Sequence, residues 1–385
     1  MKKIKIVFIE TNCKKNGPIK QTLYIIKYLD LTIFEPYLIT IWSEEEDNTM
    51  LQEYRNLGVE IYCCNLNKFK SILLGKLYVT KILKRINPDI VQGVGMPLYR
   101  MSLGYKDAEH FITLRNYCYE DYPDQYNKGI GTIMAYMDMS LIRRKLKKDN
   151  CFVTCSESLT EIYEKEEKLY IPYIRNGVDV VKYPHRHLDD IETYRKKLGI
   201  PLEKKVFIYS GNLIDRKNQR EAIDAYLKMT RRNEALLMLL GDGKDRGKLE
   251  ELYGNQPGIL IKGKVNNVYD YLVASDVYLS TSKSEGLPNG VLEAMAVGLP
   301  VLLSGIPQHI EILNTSIKAG YSYTLGNVNE LTCLMDSMLS DNLLEMGNTS
   351  YNSVMMNFTA QKMSGLYQKK YKEMYVKRCG EICDE

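Results

Sequence analysis

Glu285 and Glu293 stand eight residues apart, flanking Gly286, Leu287, Pro288, Asn289, Gly290 and Val291. Pro288 and Asn289 mark a helix start, with Asn289 suited to the N-cap and Gly298 to the C-terminal stop. The backbone N–H groups of Asn289, Gly290 and Val291 would then sit at the positive end of the helix dipole, a ready site for a phosphate. Gly286 and Gly290 would let a ligand approach the backbone closely. The two carboxylates can accept hydrogen bonds from hydroxyls on either side of that phosphate. Taken singly, Glu293 reads as a helix-start acid and Glu285 as a solvated loop residue; it is the whole string that carries the chemistry.

Such a loop needs a strand before it and a helix after it, and the sequence supplies that alternation throughout. Residues 4–9 form an apolar run interrupted only by Lys5, as in a parallel strand buried on both faces. Strand-like runs at 37–42, 59–63, 89–92, 108–114 and 151–155 alternate with helical patterns at 21–29, 51–57, 73–86 and 130–148. The pattern lapses between Pro172 and Lys205 into Asn-Gly, Pro, His and charged residues, which reads as a linker. It resumes with strands at 206–209, 235–240, 258–261, 276–280 and 300–303, interleaved with helices at 219–229, 245–253, 268–274 and 290–297. The expectation is an α/β chain of two facing Rossmann-like domains. The first spans 1–180 and the second 181–363, the linker 181–204 included; a final helix at about 364–385 packs back on the first domain. An inter-domain cleft would lie at the carboxyl ends of both sheets, where open α/β sheets bind ligands.

Composition narrows the function. A chain of 385 residues is long enough for two domains. A net charge of +4 over that length carries no basic stripe of the kind nucleic acid requires, so no nucleic-acid partner is expected. No uncharged apolar run reaches a membrane-spanning length, and the first apolar run is too short for an export signal. Nine cysteines without metal-type spacing, beside four histidines, predict reduced cytosolic thiols and no metal. One local concentration of charge stands out. Arg143, Arg144, Lys145, Lys147 and Lys148 end a predicted helix, either as a solvated, dipole-favoured terminus or as a contact with anionic lipid. Tyrosine is in excess, 30 against 7 Phe and 1 Trp; amphipathic rings suit sugar surfaces and membrane interfaces, and compositional drift accounts for the excess equally well.

The stretch from Ser284 to Pro300 resembles the E-x7-E signature of glycosyltransferase family 4 (group 1), retaining enzymes of the GT-B fold. Further stretches carry the same resemblance: Tyr209 to Asn218 is similar to the family's G-R-L-x3-K loop, Gly241-Asp242-Gly243 to its G-D-G turn, and Asn176-Gly177-Val178-Asp179 to its N-G-V-D turn. The resemblance implies that Lys217 faces the donor diphosphate, that Glu285 binds the donor sugar and Glu293 the ribose. It implies that the backbone from Gly286 through Leu287 to Leu292 covers sugar and phosphates. Gly17 would approach the diphosphate from the first domain, and the loop holding Val265 would meet the base. Asn212 stands where the family has arginine, with Arg216 as a candidate substitute. Arg115 and Asn116, which end a strand of the first domain, are candidates for donor or acceptor contact. His309 either lines the sugar pocket or belongs to a loop that caps a helix.

The expected reaction is transfer of a sugar, with retention, from a nucleotide-sugar, taken as a UDP-sugar, to a glycan or lipid-linked acceptor in cell-surface polysaccharide synthesis. No cofactor is expected, since the nucleotide-sugar is itself substrate. The expected location is the cytoplasm, at the inner face of the membrane. Two alternatives stay open: a nucleotide-sugar 2-epimerase and a non-catalytic sugar-nucleotide binder. A dehydrogenase is disfavoured because no G-x-G-x-x-G follows the first strand.

Overall fold

A computed structural model describes residues 2–147 and 151–379 of the chain. The chain divides into two compact units, Met1–Gly177 with Ala360–Glu385, and Val178–Thr359.

The first unit is built on six strands: β1 (Ile4–Glu10), β2 (Phe34–Trp42), β3 (Glu60–Leu66), β4 (Ile90–Gly93), β5 (Glu109–Leu114) and β6 (Phe152–Thr154). They pair in the order β3-β2-β1-β4-β5-β6, with every pairing parallel. Alternate residues of β1 serve opposite layers. Ile4, Ile6 and Phe8 pack with the helices Gly17–Lys27 and Ala360–Cys379. Val7 and Ile9 pack with Val79, Leu83 and Leu98 on the other face. Burial on both faces is why the strand reads as a continuous apolar run from Ile6 to Ile9, with Lys5 near its start only half-buried. The helix Ala360–Cys379 joins this unit although it lies last in sequence: Ser364 Oγ donates to Ile25 O at 2.8 Å, and the Tyr367 and Thr113 hydroxyls lie 2.6 Å apart.

The second unit repeats the plan with β7 (Lys205–Ser210), β8 (Ala235–Leu240), β9 (Ile259–Gly263), β10 (Val277–Ser280), β11 (Val301–Ser304) and β12 (Gly320–Tyr323), ordered β12-β11-β10-β7-β8-β9 and again parallel throughout. Its core gathers Phe207, Leu237, Leu239 and Leu279 with Ile223 and Tyr226 of the helix Gln219–Lys228. The edge strand β12 escapes the sequence pattern because Gly-Tyr-Ser-Tyr is short, and its two middle residues are exposed.

The stretch expected to be an irregular linker contains a helix, Leu188–Leu198, within the second unit. Leu188, Ile191, Tyr194 and Leu198 recur at helical spacing, but Leu188 is exposed and the other three are only half-buried, and the Pro, His and charged residues around them read as linker. One buried cation anchors the helix. Arg195, 4% exposed, donates from Nε to Ala274 O at 2.9 Å, from Nη1 to Leu202 O at 3.0 Å and Lys204 O at 2.9 Å, and pairs through Nη2 with Asp276. Asp276 also accepts from Val206 N–H at 2.7 Å, which ties the helix to the start of β7. Removing one partner of a buried pair strands the other charge. Arg195→Ala is therefore expected to cost about 3 kcal/mol of unfolding free energy in a urea titration, and Arg195→Lys, which lacks the fork of donors, should recover only part of it.

Candidate functional site

In the second sheet β7 and β10 are neighbours, and the strand order reverses between them. Loops leaving the carboxyl ends of strands at such a switch point open a crevice. The two loops here are residues 211–218 and 281–288. They are stitched together by Lys283 N–H to Arg216 O at 2.8 Å and by Thr281 Oγ1 to Asn218 O at 2.8 Å. The loop after β7 is shaped from beneath by the Gly-Asp-Gly turn after β8. A Cβ on Gly241 would lie 1.8 Å from Gly211 O, and one on Gly243 2.3 Å from Leu213 O, so only glycine permits this backbone contact. Leu213 N–H donates to Asp242 O at 2.9 Å across it.

That support ends in a short 3-10 turn, Asp215–Lys217, which aims two cations at one carboxylate. Glu285, 8% exposed, accepts from Lys217 Nζ, from Arg216 Nη1 at 3.3 Å and from Ser282 Oγ at 2.7 Å. Burial alone would raise its pKa, but the Lys217 and Arg216 charges outweigh it and hold the carboxyl at about 2. Burial pulls the Lys217 ammonium down from its ordinary value, while Glu285 works against that. Arg216, whose orientation the sequence left open, turns toward Glu285 beside Lys217 and also donates to Ser284 O. Asn212 is exposed and held through its backbone carbonyl, which accepts from Tyr209 Oη at 3.0 Å and Gln219 Nε2 at 2.8 Å.

The helix after the loop runs Asn289–Val297, with Pro288 rather than Asn289 at its N-cap and no capping side chain. The extended Pro288 backbone (φ −74°, ψ 110°) places the boundary one residue earlier than composition indicated. Leu292 N–H is the amide that bonds back to Pro288 O, at 3.3 Å, which leaves Asn289, Gly290 and Val291 as the first-turn amides. Glycine at 290 has a packing reason distinct from ligand access. A Cβ there would sit 2.3 Å from Tyr278 Oη and 2.9 Å from Ser210 O, so its absence lets the helix start press against the ends of β7 and β10. Gly286, Leu287, Val291 and Glu293 are buried, while Asn289 and Gly290 are partly exposed at the helix mouth.

A polar chain backs the site. Ser304 Oγ donates to Ser282 O at 2.6 Å, and His309 Nδ1 lies 2.9 Å from Ser304 O. A carbonyl only accepts, so Nδ1 carries the proton and the buried Nε2 is left with its lone pair and no partner. Burial holds His309 at about 4, neutral at physiological pH, against the pull of Glu285. His309 lies inside the helix Pro307–Asn314 and is wholly buried. Val265 is half-buried in the loop that follows β9.

In the first unit, Gly17 is the first residue of the helix Gly17–Lys27, capped by Asn16 Oδ1 accepting from Ile19 N–H at 3.1 Å. Arg115 Nη1 donates to Asn176 Oδ1 at 3.1 Å, and Asn116 O accepts from Tyr163 Oη at 3.3 Å. Near them is a residue that sequence reading passed over. Glu10, the last residue of β1, is fully buried; Tyr54 Oη donates to its Oε1 at 2.9 Å, and its Oε2 has no partner. Burial lifts its pKa to about 8, against the lowering effects of Tyr54 and Arg115. The available signal was a carboxylate closing an otherwise apolar buried strand. Of the basic helix end, Arg143 pairs with Glu167, Arg144 and Lys147 are exposed, Lys145 is half-buried and Lys148 lies outside the described residues. Among the described residues no group of three or more His, Cys, Asp or Glu side chains is placed to hold a metal ion.

These loops, with the strands and helices that carry them, fall in a stretch that a family model matches. Residues 190–353 match the family model for glycosyl transferases group 1. Over 95% of this chain and 99% of its own length, the capsular polysaccharide biosynthesis glycosyltransferase CapH of Staphylococcus aureus is 24% identical. The N-acetyl-alpha-D-glucosaminyl L-malate synthase of Bacillus anthracis is 28% identical over 60% of this chain, and the match spans 62% of that protein. Among solved structures, Anabaena Alr3699/HepE in complex with UDP-glucose superposes with a TM-score of 0.80 at 15% identity, covering 96% of this chain and 100% of that one. The fold is that of the GT-B glycosyltransferases, two parallel six-stranded α/β sheets. No described helix is long and apolar enough to cross a membrane.

Because Glu285 is held at about 2 against an ordinary 4.5, its folded form favours the carboxylate. The associated stability is present above about pH 4.5 and is lost as pH falls toward 2. Glu285→Gln is expected to lower the unfolding free energy by about 3 kcal/mol near pH 7. The gap to the native chain should narrow steadily in urea titrations taken from pH 4.5 downward.

Proposed function

We propose that this chain is a retaining glycosyltransferase that moves a hexosyl or N-acetylhexosaminyl unit from a UDP-sugar to a glycan or lipid-linked acceptor in cell-surface polysaccharide synthesis. The observation that carries the reading is the convergence of Lys217 and Arg216 on Glu285, in the loops at the switch point beside the first-turn amides of Asn289–Val297. The match to the group 1 family model over the same residues supports it.

In this reading the donor diphosphate takes the place beside Lys217 that Glu285 now shares, with its oxygens against the amides of Gly290 and Val291. Glu285 turns to the sugar hydroxyls and Glu293 to the ribose. The bond between the anomeric carbon and the β-phosphate oxygen breaks, and its electron pair leaves with UDP. The acceptor oxygen bonds to the same face of that carbon and passes its proton to a phosphate oxygen. Fixed cations and amides stabilise the departing charge without reorganising, so the reaction is read as metal-independent. Acceptor recognition is assigned to the first unit, with Arg115 and Asn116 as contacts and Gly17 at the diphosphate. Val265 is assigned to the base, and His309 to support of Glu285 through Ser304 and Ser282. The acceptor is read as presented at the inner face of the membrane, with Arg144, Lys145 and Lys147 as basic contacts.

UDP release from UDP-glucose, UDP-galactose and UDP-N-acetylglucosamine, followed with and without a polyprenyl-diphosphate-linked sugar, tests the reading. Release should depend on acceptor, persist in EDTA, and fall roughly 10²- to 10³-fold in Lys217→Ala, the scale seen when one donor to a developing anion is removed. Interconversion of free UDP-sugars without acceptor would instead indicate an epimerase, and UDP binding without turnover a binding protein.

A further inference from the structure

The helix Lys68–Ile86 of the first unit has two apolar faces where packing needs one. Ser71, Gly75, Val79, Leu83 and Ile86, spaced by three and four residues, form its buried stripe, and Val79, Leu83 and Ile86 join the core beneath the sheet. Away from that stripe, Phe69 is 72% exposed, Ile72 78%, Leu73 65% and Leu77 65%. Side chains exposed to this degree protrude from the surface; they do not line a groove into which a folded partner could insert. The same 19 residues include six lysines and arginines and no acid. A helix about 28 Å long is thus apolar at its crest and cationic along its flanks. This surface is separate from the basic end at Arg143–Lys147, where Arg143 is already paired with Glu167.

We propose that the helix Lys68–Ile86 docks the first unit on an anionic lipid surface, with Phe69, Ile72, Leu73 and Leu77 inserted at the headgroup–acyl boundary and its lysines on the lipid phosphates. A fluid interface accepts protruding apolar side chains without a complementary pocket, and a run of basic residues without an acid matches a negative surface. The proposal draws on the first unit alone, so it stands or falls separately from the donor site.

The chain carries its own probe. Trp42, its only tryptophan, donates from Nε1 to Ser71 Oγ at 3.1 Å, and Lys68 Nζ lies 5.5 Å from its ring. The full chain is titrated with vesicles of phosphatidylcholine and with vesicles containing 30% phosphatidylglycerol, read by Trp42 emission and by co-sedimentation. Binding to the anionic vesicles is expected to exceed binding to the neutral ones by about tenfold or more and to weaken with added salt. It should fall by a similar factor in Ile72→Ser/Leu73→Ser/Leu77→Ser. Lys76→Glu/Lys81→Glu is a second variant that leaves the apolar crest intact and should lose the anionic preference. Far-UV circular dichroism and thermal unfolding verify that both variants remain folded. Three results would overturn the proposal: no binding of the native chain to anionic vesicles; binding that survives both variants but is lost in Arg144→Glu/Lys147→Glu; or a concentration-dependent dimer, without lipid binding, that the apolar variant dissolves.

Discussion

A carboxylate stays ionised when buried only where cations or hydrogen-bond donors stand beside it, and Glu285 meets that condition through Lys217 and Arg216. Much of the second unit is arranged around this requirement. The cations come from the loop after β7 and the carboxylate from the loop after β10, so the two strands must be adjacent, which the strand order provides. The β7 loop keeps its path because glycines at 241 and 243 let the neighbouring turn press against it. The helix Asn289–Val297 starts close to the same point because glycine at 290 leaves space for Tyr278 Oη and Ser210 O. Such a cluster costs desolvation, which the ion pairs and the Ser282 hydrogen bond offset.

The two units share one strand order and differ in charge at the equivalent place. β7 ends in a serine beneath two cations, whereas β1 ends in Glu10, wholly buried and held near pKa 8 with one oxygen unpartnered. At neutral pH most of the Glu10 population is therefore protonated, and Arg115 nearby lowers its pKa only in part. The first unit thus offers a neutral acid and a guanidinium where the second offers an ion cluster.

The alternation of apolar runs with amphipathic helices reveals eleven of the twelve strands among the described residues, because most of them are parallel strands buried on both faces, which have a distinctive pattern. The helix Leu188–Leu198 has a weak apolar period, Leu188, Ile191, Tyr194 and Leu198, that its seven polar and charged residues obscure, and its buried anchor is Arg195, a residue type that reads as solvated. The Glu285 string was legible as chemistry, but the inward turn of Arg216 depends on a 3-10 turn that composition does not encode. Gly290 shows the reverse case: the residue was singled out for its effect on a ligand, and its fit against Tyr278 appears only in three dimensions. The tyrosine excess also acquires a structural use. Tyr54, Tyr99, Tyr163, Tyr226, Tyr278, Tyr367 and Tyr371 are fully buried core residues, and several place the hydroxyl on an internal acceptor, as Tyr226 does on Ala235 O at 3.1 Å and Tyr278 on Ser210 O at 3.0 Å. Their burial could not be read from counts alone.

In the proposed function, the Lys217–Glu285 pair and the helix Asn289–Val297 together form the seat of a nucleoside diphosphate. A crystal structure of the chain with UDP tests it most directly. The β-phosphate is expected within hydrogen-bond distance of Lys217 Nζ and of the Gly290 or Val291 amide, with Glu285 displaced from Lys217 toward the space for the sugar. UDP seated elsewhere, with the Lys217–Glu285 pair intact and the helix amides facing no phosphate, would contradict it.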